Sequence, residues 1–292
     1  MTPLDSAWLA ENPLPQPEGD TDKNRRGRVL VAGGSETVPG ALRLTGEAAL
    51  RAGAGKVQLA TVERVTLALG MTMPEAAVFP LAANASGELG DAAGPVLAGY
   101  LERCDSLVLG PGMGPDAAAE AILACAIAEP RAGLSLVVDA AALGAAGNMT
   151  ERLRAHEGRV VLTPHPGEMV QLMGCDESRI KHDPAALVRE AADRFGATVL
   201  LKGAQTLVAC PEQPVLRYPG GGPGLATGGS GDILAGIIGA LLSRGASPQT
   251  AAAWGVWLHG EAGRRLAETV GPLGFLGRDL LPLIPRLLAT SR

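Results

Sequence analysis

The chain is short of several things that common function classes require. Aromatic residues make up 3% of its 292 residues, so any core must be built from aliphatic and alanine side chains. Its cysteines, Cys104, Cys125, Cys175 and Cys210, are far apart and form no CxxC or Cys/His pair. That spacing argues against zinc or a dithiol centre, and no metal-ligating residue is assigned. Four buried free thiols suit a reducing cytosol, so a cytoplasmic location is expected. Lysine is rare (Lys23, Lys56, Lys181 and Lys202), and the net charge is −5 with no basic run. Nucleic acid and acidic membranes are therefore not expected partners. No apolar run reaches the roughly 18 residues needed to span a bilayer. Met1 to Asp22 is proline-rich and acidic, without the apolar centre of a signal peptide. No GxxxxGK[ST] occurs, and Gly110-Pro-Gly-Met-Gly114 lacks the GxGxxG spacing of a dinucleotide fold. Ser35, with Asp105 or His259, has no nucleophile-elbow context.

What the chain does have is 47% hydrophobic residues, with 40 glycines and 22 prolines dispersed between ordered apolar segments. This is enough for one large α/β domain. Residues 1–27 read as an arm or linker and residues 28–292 as a single domain. Arg28–Ala32, Lys56–Thr61, Ala76–Leu81, Ser106–Leu109, Leu134–Val138, Arg159–Leu162 and Thr198–Leu201 read as short strands. Helical patterns over Gly40–Ala52, Ala92–Arg103 and Asp116–Ala128 alternate with them, which predicts a mostly parallel sheet covered by helices. Gln205–Ala209 and Val215–Tyr218 read as an antiparallel pair, followed by two long helices near 231–243 and 248–268. Gly33, Gly110, Asp139, His165 and Lys202 fall at or just past strand C-termini, the rim where open α/β sheets bind ligands.

The richest stretch is Pro219 to Leu242, PGGGPGLATGGSGDILAGIIGALL. A glycine-rich loop that runs into a helix presents free backbone amides and the positive end of the helix dipole, a site suited to phosphate. Asp232, in the first turn, could only complement the dipole, but five glycines close by favour a base beside a phosphate. In Thr163-Pro-His-Pro-Gly-Glu168, Pro166 suits the first helical position and Glu168 the first turn. His165 is then held extended before a proline on the ligand rim. Lys202-Gly-Ala-Gln-Thr206 reads either as a hairpin with an exposed lysine or as a phosphate or ribose contact; the scarcity of lysine favours the second. Asp139 reads as the cap of a helix beginning near Ala141, with a ligand or magnesium-water role as the alternative.

Together these motifs resemble one family. Gly-Gly-Ser at 33–35, Pro39-Gly-Ala-Leu42, Ala49–Gly55, Gly110–Gly114, Thr163–Glu168, Lys202–Thr206 and Leu225–Leu234 occur in the order found in ADP-dependent NAD(P)H-hydrate dehydratases of the ribokinase-like superfamily. The resemblance spans about 25–285. It implies an α/β, ribokinase-like three-layer sandwich. It also implies ADP-dependent dehydration of the S epimer of hydrated NAD(P)H, releasing AMP and phosphate. Asp232 would be the catalytic base. Ala41, Gly114, His165 and Asp232 would contact the hydrated dinucleotide. Lys202, Gly203, Ala204, Gln205, Thr206 and Gly231 would hold the adenine nucleotide. ADP would serve as co-substrate, Mg2+ would offset its charge, and a homotetramer is expected. Residues 1–27 are too short for the epimerase domain fused in some relatives. The chain departs from the family in two places: Asp139-Ala140-Ala141 replaces Asp-Ala-Asp, and Gly221-Gly222-Pro223-Gly224 replaces Gly-Asn-Pro-Gly. The same loop and base would also serve a small-molecule kinase of that superfamily, and the departures keep a non-catalytic nucleotide-binding protein in view.

Overall fold

The structure is a computed structural model, described here for residues 1–16, 22–114 and 117–290. The strands are β1 (Thr2–Pro3), β2 (Arg28–Ala32), β3 (Lys56–Val62), β4 (Ala77–Leu81), β5 (Ser106–Leu109), β6 (Ser135–Val138), β7 (Val160–Leu162), β8 (Thr198–Leu201), β9 (Thr206–Ala209) and β10 (Leu216–Tyr218). The helices are α1 (Ser6–Glu11), α2 (Gly40–Arg51), α3 (Glu63–Thr72), α4 (Ala93–Tyr100), α5 (Ala117–Ala126), α6 (Ala141–Ala146), α7 (Thr150–Arg154), α8 (Pro166–Met173), α9 (Glu177–His182), α10 (Pro184–Phe195), α11 (Ser230–Ser243), α12 (Pro248–Thr269) and α13 (Ile284–Thr290). The expected helix at Asp116–Ala128 is α5, and Asp116 lies outside the described residues.

One sheet runs in the order β1-β10-β9-β8-β7-β6-β5-β2-β3-β4. From β8 to β4 every pairing is parallel, while β9 pairs antiparallel with both β8 and β10. Alternate strand residues feed two separate cores. Val29, Val31, Val108 and Val137 pack with α2, α11 and α12, while Leu30, Leu107, Leu136 and Val138 pack with α4, α5, α8 and α10. Period-two burial on both faces is why these strands are apolar throughout, and it gives three layers, helices–sheet–helices. This is the predicted α/β sandwich.

The structure corrects or completes the sequence expectations at several points. Residues 1–14 are not a free linker. Thr2 and Pro3 pair parallel with Leu216 and Arg217 of β10. Leu4, Leu9 and Leu14 are buried in the α11–α12 core, and Trp254 Nε1 donates to Asn12 O at 2.8 Å. All four thiols are free, but only Cys104 is fully buried; Cys125, Cys175 and Cys210 are partly accessible. α10 sits in the stretch between β7 and β8, which the strand pattern skips. Its signals were present: Pro184 at the first position and Gly196 in the left-handed conformation past the end. Among the described residues, no helix is long and apolar enough to cross a membrane.

Candidate active site

The sheet changes winding direction at β2 and β5, where the chain leaves β2 toward β3 on one side and returns through β5 on the other. Such a point opens a crevice at the strand C-termini. Here two glycine turns meet. Gly34 N donates to Pro111 O at 2.8 Å, and a side chain on Gly33 would collide with that same carbonyl. Both glycines have positive φ. Ala41 is 4% exposed, and a Cβ on Gly112 would lie 2.8 Å from its methyl. Ala41 is therefore roofed by the Gly110–Gly114 turn. The amide of Gly114 donates to Glu88 Oε2 at 2.9 Å, so an acid that the sequence reading did not single out stands at the expected dinucleotide contact.

Next along the rim, the ends of β6, β7 and β8 converge. Asp139, 3% exposed, accepts from Thr163 Oγ1 at 2.7 Å and from Lys202 Nζ at 2.9 Å. It does not cap α6: the cap position is Ala140, with no side-chain bond and a left-handed φ of 49°. A non-glycine residue there is strained, which fits a carboxylate turned inward to a ligand rim rather than along a helix. Lys202 is also 3.6 Å from Glu168. Burial opposes its charge, but the Asp139 and Glu168 carboxylates outweigh this and hold its pKa above the ordinary lysine value. The exposed-lysine reading of this hairpin is thereby overturned. Lys202 is instead a fixed cation, with Gly203, Ala204 and Gln205 exposed beside it and Thr206 opening β9.

His165 has a second job that its sequence did not announce. Its Nδ1 accepts from the amides of Gly167 (3.0 Å) and Glu168 (3.2 Å), while Glu168 Oε2 accepts from His165 N at 2.7 Å. This is a reciprocal capping box with an imidazole in place of a hydroxyl. A neutral ring then carries its proton on Nε2, 3.4 Å from Glu168 Oε1. The ring remains 55% exposed and reachable by a ligand.

The start of α11 faces this cluster. Gly229, in the left-handed region at φ 85°, is the cap, so Ser230, Gly231 and Asp232 are its first three residues. Ser230 N turns back to Thr227 O and Ile233 N bonds Gly229 O, leaving the Gly231 and Asp232 amides at the free end of the helix. A Cβ on Gly231 would lie 3.7 Å from Lys202 Nζ. Burial raises the pKa of Asp232 to about 6, helped by the Asp139 charge and opposed by Lys202. Gly222, where the resemblance leads one to expect asparagine, adopts φ 96° and ψ 167°, and an added Cβ would meet nothing within 4 Å. That backbone region is essentially confined to glycine, so the departure is coupled to the local path of the loop. The residues weighed for a hydrolase are scattered: Ser35 bonds Thr37 and Val38, Asp105 pairs with Arg28, and His259 meets Ser230.

Thus His165, Lys202, Gly231 and Asp232 are brought together on one rim, while Ala41 lies buried beneath the neighbouring Gly110–Gly114 turn. The comparison with known proteins decides the family at this point. Residues 29–286 match the model of the NAD(P)H-hydrate dehydratase family. The chain belongs to that family. It is 45% identical over 286 residues to an ADP-dependent (S)-NAD(P)H-hydrate dehydratase of Xanthomonas campestris, covering 97% of this chain and 94% of that protein. It is 40% identical to a bifunctional NAD(P)H-hydrate repair enzyme of Moorella thermoacetica, but spans only 53% of that protein's length. A crystal structure of a ribokinase-like superfamily protein from Enterococcus faecalis superposes with a TM-score of 0.84 at 28% identity, covering 100% of this chain and 96% of that one. The fold is ribokinase-like, as its NAD(P)H-hydrate dehydratase family membership requires.

Proposed function

We propose that this protein dehydrates the S epimer of hydrated NAD(P)H back to NAD(P)H at the expense of ADP, releasing AMP and phosphate. One observation carries the reading: Asp232 stands at the first turn of α11, beside a fixed ammonium and the free amides of a glycine-rich helix start. A ring hydroxyl is a poor leaving group. Asp232 takes its proton as general base, and the oxygen attacks the β-phosphorus of ADP while AMP departs. The Gly231 and Asp232 amides and the Lys202 ammonium receive the charge on the phosphoryl group in flight. The ring nitrogen then pushes the C–O bond apart, phosphate leaves, and loss of a proton from the adjacent carbon restores the double bond. Lys202 to Thr206 and Gly231 hold the adenine nucleotide; Ala41, Gly114, His165 and Asp232 hold the dinucleotide.

Magnesium belongs to this proposal only as the counter-ion of the nucleotide. Among the described residues no cluster of three metal-ligating side chains occurs, and Asp139 is already engaged by Thr163 and Lys202. The described side chains therefore build no cage for the ion, which normally keeps its waters and binds largely through phosphates. The proposal also includes a homotetramer in the cytoplasm; exposed Leu67 and Met71, one turn apart on α3, offer an apolar surface for subunit packing.

The test mixes the protein with hydrated NADH, magnesium, and ADP or ATP, and follows reduced-nicotinamide absorbance. Recovery is expected. Failure with both nucleotides overturns the reaction, and a stable phosphorylated product indicates a small-molecule kinase instead.

A further inference from the structure

The mechanism leaves the buried imidazole behind the start of α11 without a role. His259, on α12, is 9% exposed, and its Nε2 lies 2.9 Å from Ser230 Oγ. Ser230 is itself 4% exposed, so its hydroxyl points into the protein and away from the cradle. Gly229, the cap before it, has no side chain with which to fix the entry into α11. The hydroxyl–imidazole bond is therefore the side-chain tie on the residue that sets the direction of the Gly231 and Asp232 amides.

The same turn of α12 also supports the other end of the glycine-rich stretch. A Cβ on Gly221 would lie 2.5 Å from Gly260 O, and one on Gly260 would lie 2.6 Å from the Tyr218 hydroxyl. A Cβ on Gly263 would lie 2.7 Å from Leu225 Cγ. Thus Gly260, Gly263 and His259 touch the start, middle and end of the stretch that leads from β10 into α11. Only the His259 contact is a directional bond between side chains. On the opposite side, the loop is bounded by Leu44 against Gly229 and by Gly277 against the Gly228 carbonyl, both packing contacts.

We infer that His259 is a positioning residue for the phosphoryl cradle: through its bond to Ser230 it holds the first turn of α11 so that its amides and Asp232 point at the transferring group. The inference rests on the reaction proposed above. Burial drives the pKa of His259 down to about 4, against the effect of its Ser230 bond, so the ring stays neutral wherever Asp232 is ionised. A neutral imidazole supports the cradle without adding a charge that would compete with Lys202 for phosphate.

The experiment uses the full chain and four variants: Ser230→Ala, His259→Phe, their double, and His259→Gln. Ser230→Ala removes a single oxygen, which keeps the test valid if the larger change impairs folding. In either single variant kcat falls about 10- to 100-fold, as expected for a misdirected catalytic group, while KM for ADP and hydrated NADH stays within about 3-fold. The double variant is no slower than the slower single, because both changes break one bond. His259→Gln, which can still offer an amide to Ser230, regains most of the rate. Amide hydrogen exchange across 227–232 rises about 10-fold in both singles, with the remainder of α11 unchanged. Wild-type kcat in folded Ser230→Ala and His259→Phe, multiplicative losses in the double, or unchanged exchange at 227–232 each overturn the inference. A wild-type chain with no turnover overturns the assigned reaction instead, and the exchange measurement then still decides the positioning claim.

Discussion

Asp232 carries a conflict between stability and chemistry. Its folded pKa, raised to about 6, lies above that of an exposed aspartate. Such a group contributes stability that is fully present below the unfolded pKa and is lost as pH rises through 6. At neutral pH its ionised form therefore costs on the order of 3 kcal/mol, at about 1.4 kcal/mol for each pKa unit. Asp232→Asn should raise Tm above pH 7 while lowering kcat by about 10²- to 10⁴-fold, the usual worth of a general base. Calorimetry at pH 5 and pH 8 checks the sign: the gain appears at pH 8 and shrinks at pH 5. In the wild type, kcat/KM should fall on the acid side with an apparent pKa near 6. His165 separates two roles that one side chain combines. His165→Ala should cost about 1 kcal/mol through the lost cap of α8. His165→Asn keeps the cap, so thermal unfolding should recover, and any remaining loss of rate reports ligand contact.

Among the elements, α11 is both the cradle and the centre of one core. Twelve of its residues, from Ser230 to Ser243 with Gly231 and Asp232 the exceptions, are buried. It reaches α2 through Gly236, where an added Cβ would run into Thr45 O, and the sheet through Gly239, against Val108. Gly236→Val should destabilise the protein by about 1–3 kcal/mol through overpacking, read as a lower midpoint in urea unfolding. The periodicity of Ile233, Leu234, Ile237, Ile238 and Leu241 made this helix legible from sequence. The approach of α2 was not legible, because a helix-packing glycine looks the same in sequence as a loop glycine. Asp139 shows the same limit at the end of a strand. Sequence placed it correctly after β6, but a strand-end aspartate before a helix suggests a cap. Only the adjacency of β6, β7 and β8 brings Thr163 and Lys202 to its carboxylate.

At the scale of the whole molecule, the sheet is closed at one edge by the first residues of the chain. β1 covers β10, and Leu4, Leu9 and Leu14 enter the core formed by α11 and α12. Deleting residues 1–14 exposes three leucines, each worth about 1.5–3 kcal/mol when fully buried. A loss of several kcal/mol and a lower Tm are expected, with a smaller effect on KM, since the site lies at the C-terminal rim of the strands. An unchanged Tm would show that the segment is not held as described.

The sequence by itself determined the alternation of strand and helix, the rim that carries glycine, aspartate, histidine and lysine, and the anion-binding start of α11. These are local properties, set by apolar period, chain-breaking residues and the backbone freedom of glycine. Tertiary structure alone decided that Lys202 is a fixed, half-buried partner of Asp139 and Glu168, and that His259 reaches Ser230. Asp139 and Lys202 are 63 positions apart, and strand order rather than local sequence places them side by side; the packing of α12 on α11 does the same for His259 and Ser230. Burial then decides what each group does: it makes Asp232 a better base at neutral pH and keeps His259 uncharged.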